Sequence, residues 1–268
     1  MKRLCAVLMC LFVVLAAAPV HAAEAGKTHT LVLLRHGEST WNKEGRFTGW
    51  SNIPLTAKGE AGAFKAGEIM KKEGLSFDEV YTSYLNRAIK TAWLALEGLD
   101  EMWVPVHADW RLNERSYGDL EGKTRKEVTE ARGEEQVKIW RRSFDVPPPP
   151  LSYDDARSPA KDPRYKALPK GAIPQSESLK DVIARSQPYW DSVLVPALKA
   201  GRTIMVVGHS TALRALSKCI EPGLDEKALQ KLEIPNSTPI VYILDADMKV
   251  VSRTVLAVPP MPEKDEKK

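Results

Sequence analysis

Two histidines stand directly behind apolar runs, His36 after "TLVLLR" and His209 after "TIMVVG". Each run reads as a buried strand, and ligands in open α/β sheets bind beyond the carboxyl ends of the strands. If the two strands are neighbours, both imidazoles face one pocket, with Arg35 leading into it. Arg87 falls early in a helix that follows a third strand-like segment, where backbone N–H groups and the helix dipole also favour an anion. Glu114, in "RLNERSYGDLEG", adds a carboxylate from a loop. Two histidines, two arginines and one carboxylate suit phosphoryl transfer without a metal. A neutral His36 attacks phosphorus, the guanidiniums and His209 hold the equatorial oxygens, and Glu114 exchanges a proton with the substrate hydroxyl.

Taken singly these residues have plainer readings. Arg-His-Gly arises by chance, a lone histidine at a strand end such as His209 often serves structure, Arg141-Arg142 reads as a solvated helix face, and Glu114 as an exposed carboxylate. Other site chemistries lack their residues: there is no Walker-type glycine loop, no H-E-x-x-H and no paired cysteines in the mature chain. "GHSTA" (208–212) ends in Ala212 where a nucleophile elbow has glycine, and nothing else fits an acyl-transfer triad.

The elements that must position these groups alternate. Strand-like runs at 28–34, 77–83, 203–208 and 239–245 are separated by helical patterns. One helix starts at Thr56 as N-cap and stops at Gly74. The next is capped by Ser83 and carries Arg87, Ile89, Trp93 and Leu96, and a later one follows His209 to Lys218. This alternation predicts an α/β fold, three layers with a mostly parallel central sheet. Between about 110 and 187 the pattern breaks into a proline-rich insertion with "PPPP" at 147–150, expected to form a lid over the site.

Residues 1–22 form a basic-then-apolar leader ending in Val20-His21-Ala22, the pattern of a secretory signal peptide. The alternative is an uncleaved anchor, or a protein that stays in the cytoplasm. A single catalytic domain is expected over 23–258 and a disordered tail over 259–268. Cys5 and Cys10 belong to the leader, so the mature chain keeps only Cys219 and has no disulfide framework. The formal charge of +4, spread over 39 basic and 35 acidic residues, gives no stripe of the kind that binds nucleic acid. The basic residues are expected to serve a small anionic ligand or plain solubility. No segment after the leader could cross a bilayer.

The blocks "LVLLRHGESTWNKEGRFTGWSNIPLTAKG", "YTSYLNRAIKTA", "RLNERSYGDLEGK", "WRRSFDVPPPP" and "PIVYILD", in this order, resemble the 2,3-bisphosphoglycerate-dependent phosphoglycerate mutases of the histidine phosphatase superfamily. The resemblance implies a homodimer or homotetramer that interconverts 3- and 2-phosphoglycerate through a phosphohistidine primed by 2,3-bisphosphoglycerate, with no metal. It makes His36 the nucleophile, Glu114 the proton donor and acceptor, and His209 the second histidine. Arg35, Ser39, Asn42, Thr48, Gly49 and Arg87 match phosphate-contacting positions, Arg115, Tyr117, Arg141 and Arg142 match the part that closes over the substrate, and Arg125 is expected among the substrate-binding residues.

Three positions depart from that pattern. Ser210-Thr211 replace the usual Gly-Asn, Ser116 stands for a histidine, and Arg125 for a lysine. Thr211 can still bond a phosphate oxygen and Ser210 can cap the following helix. Loss of a carboxamide bond to a charged oxygen costs about 1.5–3 kcal/mol. An exported phosphatase acting on small phosphomonoesters is therefore the competing activity, since a looser pocket admits water to the phosphohistidine. A secreted non-catalytic binding protein that reuses the fold is a third reading.

Overall fold

A computed structural model describes residues 27–259; the expected leader and nearly all of the expected tail lie outside them. In chain order the elements are β1 (His29–Arg35), α1 (Thr40–Lys43), α2 (Ala57–Lys72), β2 (Glu79–Thr82), α3 (Asn86–Leu99), β3 (Val106–Ala108), α4 (Arg125–Arg132), α5 (Glu134–Arg142), α6 (Leu179–Tyr189), α7 (Val195–Lys199), β4 (Ile204–Gly208), α8 (Ser210–Ile220), α9 (Glu226–Lys231), β5 (Pro239–Leu244) and β6 (Val250–Val255). The strands form one sheet in the order β3-β2-β4-β1-β5-β6. Its first four strands run parallel, while β5 and β6 are antiparallel additions.

The uninterrupted apolar runs of β1 and β4 follow from helices on both faces. Leu31, Leu33, Ile204 and Val206 point to the layer containing Trp190, Leu194, Leu213 and Leu216. Val32, Leu34, Met205 and Val207 point the other way, onto Met70, Ala88, Ala92 and Leu96. α2 and α3 approach closely because Gly67 faces Ala95: a Cβ on Gly67 would lie 2.1 Å from the Ala95 carbonyl oxygen. Among the described residues no helix is long and apolar enough to cross a membrane.

The four predicted strands and the Thr56 cap are present; the Thr56 hydroxyl accepts from the Gly59 N–H at the start of α2. Two strands carried no readable signal. β3 has three residues, and β6 is an edge strand exposed along most of its length, so neither shows a buried apolar period. Ser83 does not cap α3. The N-cap position is Leu85, without a side-chain bond, and the Ser83 hydroxyl is used elsewhere. Ser210 likewise is the first residue of α8 and not its cap, a position held by the backbone of His209.

The proline-rich insertion is folded. Tyr165 and Ile173 pack with Trp50 in a satellite core that also takes in Tyr84, Trp110 and Tyr153. Across 110–187 the chain forms α4, α5 and most of α6, elements the expected lid did not specify; between α5 and α6 aromatic packing replaces regular helix and strand as the source of order.

Candidate active site

The parallel pairing of β1 with β4 sets Arg35 opposite Gly208, so the residue that follows each strand meets the other. The His36 N–H donates to the Gly208 carbonyl at 2.9 Å, and the imidazoles of His36 and His209 lie 5.0 Å apart, centroid to centroid. Both are buried, 3% and 0% exposed.

A local hydrogen bond assigns the His36 tautomer. His36 Nδ1 lies 2.6 Å from the Gly37 carbonyl, which can only accept, so Nδ1 carries the hydrogen and Nε2 keeps its lone pair. Burial, then the charges of Arg87 and Arg35, push the His36 imidazole well below its ordinary pKa and keep it neutral. His209 is pushed the same way by burial, then by Arg87 and His36. Its Nε2 lies 2.8 Å from Ser83 Oγ, which already accepts from the Leu85 N–H at 3.1 Å. The Ser83 hydroxyl has both a proton and a second lone pair to offer Nε2, while His209 Nδ1 has no protein partner.

Unpartnered donors concentrate here. Among the described residues, the buried side-chain nitrogens or oxygens without a partner are those of His29, Arg35, Arg87, Arg115 and His209. All but His29 were predicted from sequence to bind phosphate or substrate. Buried donors of this kind are expensive unless something supplies acceptors, and a phosphoryl group supplies three oxygens.

Arg87 is 1% exposed, and burial lowers its pKa to about 10. Its Nη1 donates to the Ser51 carbonyl at 2.8 Å and its Nη2 to that of Gly49 at 2.9 Å, which aims the guanidinium. Gly49 has φ +53° and no room for a side chain, because a Cβ would sit 1.9 Å from Glu121 Oε1. Glu121 clasps two loops: it accepts from the Trp50 N–H at 3.2 Å, from the Tyr117 N–H at 3.1 Å and from the Ser51 hydroxyl at 3.0 Å.

Burial raises the Glu121 carboxyl to about 6 against the pull of those bonds and of Arg87. A carboxyl raised above its unfolded value contributes stability that is complete below about pH 4.5 and is lost as pH rises through about 6, roughly 2 kcal/mol in all. Glu121→Gln keeps an acceptor oxygen and removes the titration. The variant should gain about 2 kcal/mol relative to native between pH 4.5 and 8, measured by urea unfolding; a constant difference across that range would refute the assignment.

Glu114 reaches the site from the loop after the single turn Trp110–Leu112. Its Oε1 accepts from its neighbour's N–H, that of Arg115, at 2.8 Å and from the Thr211 N–H at 3.1 Å, so the first turn of α8 holds the carboxylate. Tyr117 is raised by burial but held below its ordinary pKa overall, chiefly by the Arg115 guanidinium and also by a hydrogen bond with the Thr211 side chain.

A cavity of about 320 Å³ opens over these groups. Of the predicted residues, Arg35, His36, Asn42, Thr48, Gly49, Arg87, Glu114, Tyr117, Arg125, Arg141, Arg142, Ser210 and Thr211 line it. His209 lies just behind, against His36. Ser39 is fully buried and is engaged locally, its hydroxyl accepting from the Asn42 N–H while Asn42 Oδ1 accepts from the Ser39 N–H, which closes the capping box of α1. Arg115 stacks on Tyr117, 4.6 Å from the ring centroid, and sits outside the lining. None of the described residues between 143 and 209 lines the cavity, so the part of the expected lid that reaches it is confined to 114–142.

Sequence reading missed Arg46, Phe47, Arg214 and the stretch 233–235 among the lining, and Ser83 and Glu121 behind it. Arg214 had a legible signal, being four residues after Ser210 on one helix face, where its Nη2 now donates to the Ser210 hydroxyl at 3.3 Å. The 233–235 stretch had none. It is brought in by contacts across 199 residues or more, from Arg35 Nη1 to the Ile234 carbonyl at 2.8 Å and from Asn236 Nδ2 to the His36 carbonyl at 2.6 Å. The finished wall carries seven arginines (Arg35, Arg46, Arg87, Arg125, Arg141, Arg142 and Arg214) against Glu114 and Glu233.

Solved structures share this architecture. YhfR of Bacillus stearothermophilus is 25% identical and superposes with a TM-score of 0.62 over 87% of this chain and 97% of its own. The phosphoglycerate mutase of Bacillus anthracis, 23% identical, gives 0.62 over 87% and 93%. The α-ribazole phosphatase of Shigella flexneri, 22% identical, gives 0.63 over 88% and 100%. At these identities the last two establish the fold alone. The family model of the histidine phosphatase superfamily, branch 1, matches residues 31–255, a span that contains His36, Arg87, Glu114 and His209. A neutral buried histidine with a free Nε2, ringed by unpartnered guanidinium and imidazole donors, and a matching family model agree: this chain belongs to the histidine phosphatase superfamily, branch 1.

Proposed function

We propose that the protein is a phosphoglycerate mutase of the 2,3-bisphosphoglycerate-dependent kind, interconverting 3- and 2-phosphoglycerate through a phosphohistidine at His36. The observation that carries this reading is the surplus of cations. Arg35, Arg87 and the two histidines suffice for one transferring phosphoryl group, yet Arg46, Arg125, Arg141, Arg142 and Arg214 line the same cavity. A substrate with a second anionic group, carboxylate or phosphate, matches that wall. The unpartnered donors and the outer arginines also suit 2,3-bisphosphoglycerate, which when bound would supply the phosphoryl group that primes His36.

The chain's own groups divide the work. His36 Nε2 forms the N–P bond as the substrate P–O bond breaks, and the Nδ1 bond to Gly37 holds the ring while charge develops on it. Arg35, Arg87 and His209 Nδ1 face the charge on the phosphoryl oxygens, in a site from which burial excludes most water. Glu114 gives a proton to the departing oxygen and takes it back from the hydroxyl that next accepts the phosphoryl group.

Hydrolysis is the second reading. It is favoured by Ser210 and Thr211, which put two small hydroxyl-bearing side chains on the cavity wall where water can bridge to the phosphorus. The deciding assay uses protein starting at Ala23, given 3-phosphoglycerate with and without 2,3-bisphosphoglycerate, with 2-phosphoglycerate and free phosphate followed together. Isomerisation that depends on the bisphosphate with little phosphate released supports the mutase. Phosphate release without isomerisation refutes it in favour of a phosphatase.

A further inference from the structure

Glu114 sits in irregular backbone, yet a general acid must hold its carboxyl within hydrogen-bond reach of one oxygen. The loop that carries it is gripped from behind by Arg185 on α6. Arg185 Nη1 donates to the Arg111 carbonyl at 2.7 Å and to that of Asn113 at 3.2 Å, and Nη2 reaches the carbonyls of Asn113 at 3.2 Å and Glu114 at 3.4 Å. The guanidinium is itself locked to Glu177, Nε to Oε1 at 2.8 Å and Nη2 to Oε2 at 3.0 Å. Glu177 Oε2 also accepts from the Ser116 N–H at 2.9 Å. The ion pair therefore binds the chain on both sides of Glu114. Both side chains are almost wholly buried, 7% and 4% exposed, and neither lines the cavity.

We infer that the Arg185–Glu177 pair is the positioning device for proton transfer by Glu114: it sets where the carboxyl stands without touching the ligand. The inference rests on the acid–base role assigned to Glu114 above. A planar fork is needed because the loop carbonyls and the carboxylate lie in different directions, and a lysine ammonium cannot span them in the same geometry. Displacements of about 1 Å at a reacting group cost on the order of a hundredfold in rate.

A merely structural ion pair would slow every substrate alike, whereas a positioning pair should matter in proportion to the leaving group's need for a proton. The test is the single-turnover rate of His36 phosphorylation, by rapid quench, with 4-nitrophenyl phosphate, whose phenolate leaves unprotonated, and with an alkyl phosphate, whose alkoxide cannot. Native protein is compared with Arg185→Lys, Glu177→Gln and Glu114→Gln. Glu177→Gln is the milder variant, since a glutamine oxygen still accepts the Ser116 N–H. Both pair variants should lose about 10- to 100-fold with the alkyl ester and less than about 3-fold with the nitrophenyl ester. Equal losses on both esters, or none on either, overturn the inference. If Glu114→Gln is itself indifferent to the leaving group, the acid–base assignment fails and the inference falls with it. If Glu114→Gln discriminates and the pair variants do not, the inference alone falls.

Discussion

His36→Ala abolishes phosphoryl transfer: turnover of any phosphomonoester falls by about 10⁴-fold or more, because a covalent route is lost and the rest of the site acts on nothing. The fold should tolerate the change. His36 contributes one side-chain bond, to the carbonyl of its own neighbour Gly37, and its backbone N–H to Gly208 is retained. The variant should therefore still bind an anionic ligand through Arg35, Arg87 and His209, visible as a rise in melting temperature on adding substrate. Native protein briefly exposed to substrate and digested should carry an acid-labile phosphate on the peptide containing His36, and the variant none. Labelled phosphate retained in the variant would move the nucleophile elsewhere. Activity in mildly acidic buffer is a companion check. The imidazole is held well below its ordinary pKa by burial and by Arg87 and Arg35, so the nucleophile should stay unprotonated where an ordinary histidine would already be charging.

Arg87→Met should lower kcat/KM by about 10²–10³-fold, the usual loss for removing one pre-aimed donor from a developing oxyanion. Its signature in the free protein should be different from that of an ordinary buried mutation. Two opposing contributions meet: the carbonyls of Gly49 and Ser51 lose their donor, but a charge that burial disfavours, beside Arg35 and two histidines, is removed. The unliganded variant is thus expected to melt within a few degrees of native while losing most of the stabilisation by phosphate or vanadate. A large fall in the melting temperature without ligand, with anion stabilisation intact, would make Arg87 a structural residue.

Much of the site was legible because its chemistry lies at recognisable local positions. His36 and His209 end apolar runs, Arg87 opens a helix, and Glu114 stands in a distinctive block, so residue type and neighbourhood sufficed. The corrected assignments concern side chains whose partners local sequence does not reveal. Ser83 reads as a helix cap by every local criterion, but its hydroxyl spans 126 positions to His209. The proline-rich stretch between α5 and α6 shows no period, and its order comes from Tyr165 and Ile173 packing on Trp50.

By itself the sequence determined the class of fold and the candidate reagents: alternating strands and helices, two histidines at strand ends, their arginines and a carboxylate. Tertiary structure alone decided how they meet. The strand order β2-β4-β1 is not encoded in period-two patterns, yet it brings Ser83 against His209 and His209 against His36. The same holds for Arg185 and Glu177 and for the 233–235 stretch, whose roles arise largely from hydrogen bonds to backbone atoms that any residue could have supplied. Backbone donors and acceptors carry no sequence signature, so a site that leans on them becomes visible only once the chain is folded.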